Sequence, residues 1–217
     1  MTTVKLVTAG SEDIVAYCAR VSNPANQDNK DIAGLLRYCM RHGHWSVFEM
    51  ANAVLEVNTT RDIGRQLLRH RSFSFQEFSQ RYSNVGDLEV PFEFRECRTQ
   101  DTKNRQNSNQ LDLTNEDNRD LSNLWYAKQQ SVLRTAREAY EWSLANGIAK
   151  EQARALLPEG LTKSRLYVNG TLRSWIHFIQ VRSDKSTQKE HREIAEQAKE
   201  VLSTVFPITI GALNDVQ

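Results

Sequence analysis

The chain has 217 residues, enough for one domain with a substantial buried core, and its 28 Lys and Arg are offset by 27 Asp and Glu to leave a formal net charge of +1. That balance argues against the broad basic stripe of a nucleic-acid binder and confines any basic cluster to a local pocket. Three cysteines, Cys18, Cys39 and Cys97, are odd in number and lack Cys-x-x-Cys spacing, which argues against a disulfide framework or a zinc site and fits a reducing compartment.

The segment from Met1 to Val7 carries no apolar run of signal-peptide length, and no later stretch is long enough to span a bilayer. A cytoplasmic protein with no membrane partner is expected. Val4 to Val7 reads as a short strand. Ile32, Leu35, Leu36, Cys39 and Met40 recur at helical spacing, with Gly43 where a left-handed cap belongs, so Cys39 should face the core. Met50 to Asn58 reads as a second strand. Asn58, Thr59 and Thr60 then offer caps for a helix in which Ile63 and Leu67 face inward and Arg61, Arg65 and Arg69 share another face.

Residues 98–120 form a polar tract with no apolar period, expected to be an exposed, mobile excursion. A long helix runs from Leu121 to about Gly147, and a shorter one from Lys150 to Leu157 is stopped by Pro158. Lys163 to Asn169 suggests a strand. Thr171 to Arg182 and Thr187 to Val205 read as helices, the last opened by a Thr187-x-x-Glu190 capping box. With no internal repeat, residues 1–217 are expected to be a single α+β domain, an antiparallel-containing sheet flanked by helices.

The chemistry concentrates between Arg69 and Tyr82. Arg69-His70-Arg71 is followed by Ser72, Ser74, Glu77, Ser79, Gln80 and Arg81. Guanidinium forks and hydroxyls at one place suit a small, highly charged ligand such as a phosphate ester. On the residues alone, the triplet fits a solvated helix end equally well. Ser79 has no base spaced to activate it and reads as a ligand-holding residue rather than a nucleophile.

The triplet and Ser79 together resemble the Arg-His-Arg-x7-Ser signature of flavin-dependent thymidylate synthases. Further blocks lie in that family's order: Gly43-His44-x-Ser46-x-x-Glu49, then Gly147-Ile148-Ala149-x-Glu151-x-x-Arg154-x-x-Leu157-Pro158, then Arg173-Ser174-Trp175-Ile176-His177-Phe178-x-x-x-Arg182, and Gln188-x-Glu190. The resemblance implies reductive methylation of dUMP to dTMP, with FAD as cofactor and 5,10-methylenetetrahydrofolate and NADPH as co-substrates. It further implies an obligate oligomer, a homotetramer whose chains share active sites, which fits the lack of a Gly-x-Gly-x-x-Gly motif.

By the same resemblance, Gln66, Arg69, Glu77, Ser79, Gln80, Arg81, Arg154 and Arg182 are expected to bind dUMP, with Arg182 the catalytic group that favours an electron-rich uracil. His44, Ser46, Arg69, His70, Arg71, Glu77, Arg173 and His177 are expected to bind FAD. No residue is expected to hold a metal. The chain departs from the family pattern at Met50, Gln76, Gln80, Thr171 and His177. Without the resemblance, the basic cluster with Phe73, Phe75, Phe78 and Tyr82 also suits a nucleotide- or RNA-binding module that stacks bases.

Overall fold

A computed structural model describes residues 2–215, with side chains described for 2–213. Strand β1 (Thr3–Ala9) leads to helix α1 (Glu12–Ala19), which the sequence reading did not anticipate. Ser11 caps α1 by accepting from the Ile14 N–H, and two acidic residues occupy its first turn. Buried Glu12 does more than favour the helix dipole. Its carboxylate accepts from the Ile208 and Thr209 N–H groups at 3.1 and 2.6 Å, closing the start of a helix near the far end of the chain.

Helix α2 (Ala33–Arg41) buries Leu36, Cys39 and Met40, and Gly43 follows with φ of +69°, the left-handed value expected of its spacing. A 3-10 turn (Trp45–Glu49) leads into β2 (Asn52–Thr60). In β2 the alternate residues Ala53, Leu55, Val57 and Thr59 are buried, so one face of the strand forms the core. Helix α3 (Arg61–Leu67) follows without a loop, and β3 (Ser74–Glu77) is a short strand.

The polar tract holds a small hairpin, β4 (Arg98–Gln100) with β5 (Ser108–Gln110). Asp101 shapes its turn by accepting from the N–H groups of Lys103 and Asn104 at 2.7 and 3.1 Å. Helix α4 (Glu116–Ala145) starts inside the tract, five residues before the first apolar position, because Asn115 caps it and Glu116 and Asp117 fill its first turn. Helix α5 (Lys150–Ala153) passes into a 3-10 turn (Arg154–Leu156) ahead of Pro158. Strand β6 (Lys163–Thr171), α6 (Leu172–Arg182), α7 (Lys189–Ser203) and α8 (Pro207–Gly211) complete the fold.

The main sheet is fully antiparallel in the order β1-β2-β6-β3. Trp175, Ile176 and Phe178 of α6 and Ile194, Ala198 and Leu202 of α7 join Leu55, Val57, Leu166 and Val168 of the sheet in one hydrophobic core. The Trp175 indole N–H donates to the Ala53 carbonyl at 3.1 Å, so the largest core residue leaves no buried donor unpaired. A smaller cluster of Val85, Tyr140, Ala153 and Leu157 ties α4 and α5 to the turn after Ser79.

The expected capping box at Thr187 does not form. Helix α7 begins at Lys189, and Glu190 is drawn into ion pairs with Arg95 and Arg98. The carboxylate is engaged by two guanidinium groups and does not reach back to Thr187.

Candidate active site

Helix α3 stops at Leu67, so Arg69 lies beyond its end and does not extend the Arg61 and Arg65 face. The triplet follows in a turn in which the His70 N–H donates to Leu67 and the Phe73 N–H donates to His70. This turn sends the middle residue inward and leaves its neighbours outside. His70 is 9% exposed, whereas Arg69 and Arg71 are exposed and form no ion pair among the described residues.

His70 meets Arg182, the last residue of α6, whose Nε donates to His70 Nε2 at 2.8 Å. A guanidinium can only donate, so His70 must present a lone pair and is neutral. Burial first, then the charges of Arg182 and His177, lower the His70 pKa to about 4. A second buried histidine, His191 of α7, lies 6.1 Å from His70 between ring centroids and is held at about 4 by burial and the same cation. Phe178 packs edge-on against His70 at 5.0 Å.

Beside this group is a cleft of about 440 Å³ lined by Trp45, Glu49, Ser72, Arg173, Ser174, Ile176, His177 and Gln180. Arg173 and His177 lie one turn apart on the exposed face of α6, as their spacing implied. Arg173 also pairs with Glu49. His44 and Ser46 flank Trp45 in sequence and are exposed, and His44 turns its ring toward Tyr38 at 5.7 Å rather than into the cleft.

Glu77 stands at the end of β3, where Ser164 donates to it at 2.7 Å and Arg61 pairs with it at 3.3 Å. Arg61 and Arg65 both reach Glu159. Ser79 accepts from the Arg81 N–H at 3.4 Å, and its carbonyl receives the Tyr82 and Ser83 N–H groups in a turn. Arg81 pairs with Glu151 at 3.2 Å, while Arg154 donates to the Glu151 backbone carbonyl, so the carboxylate of Glu151 serves Arg81 rather than Arg154. Gln80 is 3% exposed, with a side-chain nitrogen that has no partner among the described residues.

The candidate residues therefore fall into separate groups within one chain. His70 and Arg182 touch, and Arg173 and His177 share a cleft. Arg81 and Arg154 meet at Glu151, with Ser79 accepting from the Arg81 N–H, and Gln66 meets Gln188 at 2.7 Å. Phe73 is packed on Trp175 at 4.4 Å and is 7% exposed, which removes it as a stacking platform for bases.

Sequence reasoning assigned no role to His191, Arg95, Arg98 or Ser164. His191 sits on the apolar stripe of α7, a signal that reads as core. Arg98 opens the polar tract and Arg95 lies just before it, and their link to Glu190 spans 92 and 95 residues, out of reach of any local pattern. Burial raises the Glu190 pKa, but hydrogen bonding and charge from Arg98 and Arg95 outweigh it and hold the group at about 2. No cluster of three or more His, Cys, Asp or Glu able to hold a metal occurs among the described residues.

The cleft suits part of a flavin. Arg173, Ser72 and Ser174 offer donors for phosphate or ring carbonyls, and Trp45 and Ile176 offer apolar wall. Its volume is at the low end for a drug-sized ligand, so a dinucleotide needs further walls.

The fold and the site define an α+β protein with an antiparallel sheet and several arginines grouped around its candidate site. Residues 4–208 match the family described as thymidylate synthase complementing protein. A flavin-dependent thymidylate synthase of Synechocystis is 50% identical over 204 residues, covering 94% of this chain and 89% of that protein. A probable flavin-dependent thymidylate synthase of Paramecium bursaria Chlorella virus 1 is 47% identical, covering 94% and 91%. The crystal structure of a UMP/dUMP methylase, PolB from Streptomyces cacaoi bound with 5-Br dUMP, superposes with a TM-score of 0.84 at 29% identity, covering 99% of this chain and 95% of that one. The chain belongs to the thymidylate synthase complementing protein family, the flavin-dependent thymidylate synthases.

Proposed function

We propose that the protein converts dUMP to dTMP with FAD as its cofactor, taking the one-carbon unit from 5,10-methylenetetrahydrofolate and the reducing electrons from NADPH. The observation that carries the reading is the Arg182 guanidinium anchored on neutral His70. One of its five N–H bonds is spent on the histidine, which leaves four for an anionic partner.

Uracil C5 is a poor nucleophile until electron density is pushed onto it. Arg182 favours an electron-rich uracil by stabilising negative charge on the ring before the attack, and that density moves into the new bond as C5 attacks the one-carbon unit. Ser79, Arg81 and Arg154, with Gln80 beside them, hold the phosphate, while Gln66, Arg69 and Glu77 align the nucleoside. Arg69, His70, Arg71, Glu77, Arg173 and His177 hold the flavin, with His44 and Ser46 at its edge. When bound and reduced, the flavin supplies the hydride that completes the methyl group. The protein supplies no thiol nucleophile. Burial raises the Cys39 pKa, and Cys18 and Cys97 lie outside the sequence blocks named above.

The site is completed in a homotetramer. Separation of the Arg81 group from the Arg182 group within one chain supports this. So does α4, whose Leu121, Leu124, Trp125, Tyr126, Val132 and Trp142 are exposed apolar side chains on one long helix. Three free thiols support a cytoplasmic setting.

The test is the visible spectrum of the purified protein followed by release of tritium from C5-labelled dUMP. A yellow protein whose tritium release requires the folate supports the reading. A colourless protein, or a yellow one that oxidises NADPH without releasing tritium, overturns it.

A further inference from the structure

Gln66, near the end of α3, and Gln188, at the start of α7, are joined by a hydrogen bond of 2.7 Å from Gln66 Nε2 to Gln188 Oε1. Gln188 Nε2 in turn donates to Glu190 Oε2 at 3.0 Å. Glu190 receives Arg98 on its other oxygen and Arg95 at 3.2 Å, and Arg95 is fixed by Asp62 of α3 at 2.7 Å. The Glu190 side chain is 14% exposed, so this is a largely dry set of charges.

The direction of every bond in this chain follows from its last member. A carboxylate clamped by two arginines can only accept, so the Gln188 amide must turn its NH₂ toward it. That leaves the Gln188 carbonyl facing Gln66, which must answer with its own NH₂. The Gln66 carbonyl oxygen is then left over, with no partner among the described residues. Reversing either amide would set carbonyl against carbonyl or carbonyl against carboxylate, at the cost of a hydrogen bond in a partly buried place.

We infer that Glu190 is a positioning residue which, through Gln188, locks the Gln66 amide with its carbonyl oxygen turned to accept a hydrogen bond from the nucleotide. This rests on the dUMP reading of the site. A free glutamine can rotate its amide to suit either a donor or an acceptor. A glutamine locked in this way selects for a donor. The monophosphate offers two, the uracil N3–H and the 3′-hydroxyl. If the imide is the donor, the same lock disfavours cytosine, whose N3 is an acceptor.

The experiment measures nucleotide binding to the flavin-loaded protein by calorimetry, for wild type and Glu190→Gln, with dUMP, 2′,3′-dideoxyuridine 5′-monophosphate and N3-methyl-dUMP. Glu190→Gln should keep flavin content and assembly while weakening dUMP about tenfold. The analogue that lacks the donor engaged by Gln66 should bind wild type and variant within twofold of each other, which also identifies that donor. Gln188→Leu keeps the Glu190 ion pairs and should reproduce the pattern, guarding against a variant that fails to fold. Equal weakening of dUMP and both analogues, or no weakening of dUMP, overturns the inference while leaving the dUMP reading intact. A wild-type protein that binds no dUMP overturns both.

Discussion

Arg182 donates to His70 through Nε at 2.8 Å, and this single bond requires a neutral imidazole under a fixed cation. His70 and His191 both have pKa values near 4 in the fold, against about 6.5 for an exposed histidine. Their folded values are depressed, so the unfolded chain takes up protons first as pH falls. Stability is therefore fully present above about pH 6.5 and declines between 6.5 and 4, by up to ~1.4 kcal/mol per pH unit for each histidine. Urea unfolding at pH 7.5 and pH 5 should show this loss, and His191→Phe should flatten it. An unchanged midpoint between the two pH values would contradict the neutral pair.

Substrate and cofactor groups should separate under mutation. Arg182→Ala or Arg81→Ala should weaken dUMP binding by about 2–4 kcal/mol, the cost of losing a charged hydrogen bond to a desolvated anion. Flavin content should stay near normal. Arg81 and Glu151 are both about half exposed, so their pair adds at most ~1 kcal/mol to stability and the Arg81 variant should melt close to wild type. Arg173→Ala should instead lower flavin content first. Parallel loss of FAD in all three variants would refute the division.

Replacing Cys18, Cys39 and Cys97 together by Ala should leave dTMP formation within about tenfold of wild type, ~1.4 kcal/mol of transition-state stabilisation. Collapse of turnover in a folded, yellow triple variant would point to a thiol nucleophile, as would a dUMP adduct on one cysteine by mass spectrometry.

Gly170 of β6 lies against Phe73, and a Cβ there would come within 2.4 Å of two Phe73 ring carbons. Gly170→Ala should destabilise the protein by about 1–3 kcal/mol through overpacking. Because Phe73 follows Arg71 and Ser72, the displaced ring should also disturb the cleft. Retained FAD per chain in a variant with the expected drop in melting temperature would show that the cleft does not depend on this anchor.

The exposed apolar face of α4 gives a test of assembly. Trp142→Glu and Leu124→Glu should shift light scattering from near four times 25.0 kDa toward the single chain, with loss of flavin. A monomer that keeps stoichiometric FAD would show the site to be complete within one chain.

Much of this architecture was legible in the chain. The period of α2 with Gly43 and the start of α6 at Thr171 are local signals, and each formed where its residues called for it, while β2 formed two residues later than expected, at Asn52–Thr60. What escaped was settled at long range. Helix α1 is short and marked mainly by Ser11, and the value of Glu12 lies in capping residues nearly two hundred positions away. Glu190 reads as the end of a capping box until Arg95 and Arg98 arrive from a stretch with no period of its own. The motif residues were recognisable singly, but their division into groups depends on which strand ends where.

Strand β3 gives the seven-residue spacer of the signature a physical meaning. Ser74–Glu77 is extended and paired with β6, so the basic triplet lies before the strand and Ser79 lies beyond it. At ~3.3 Å per residue the four paired residues alone span about 13 Å, so the strand keeps the triplet and Ser79 at opposite ends. The spacer is thus a ruler: it sets the basic triplet and Ser79 at the two ends of one short strand. Adding or deleting one residue would invert every side chain after the break, so the length is constrained by the pleat as firmly as by the chemistry at either end.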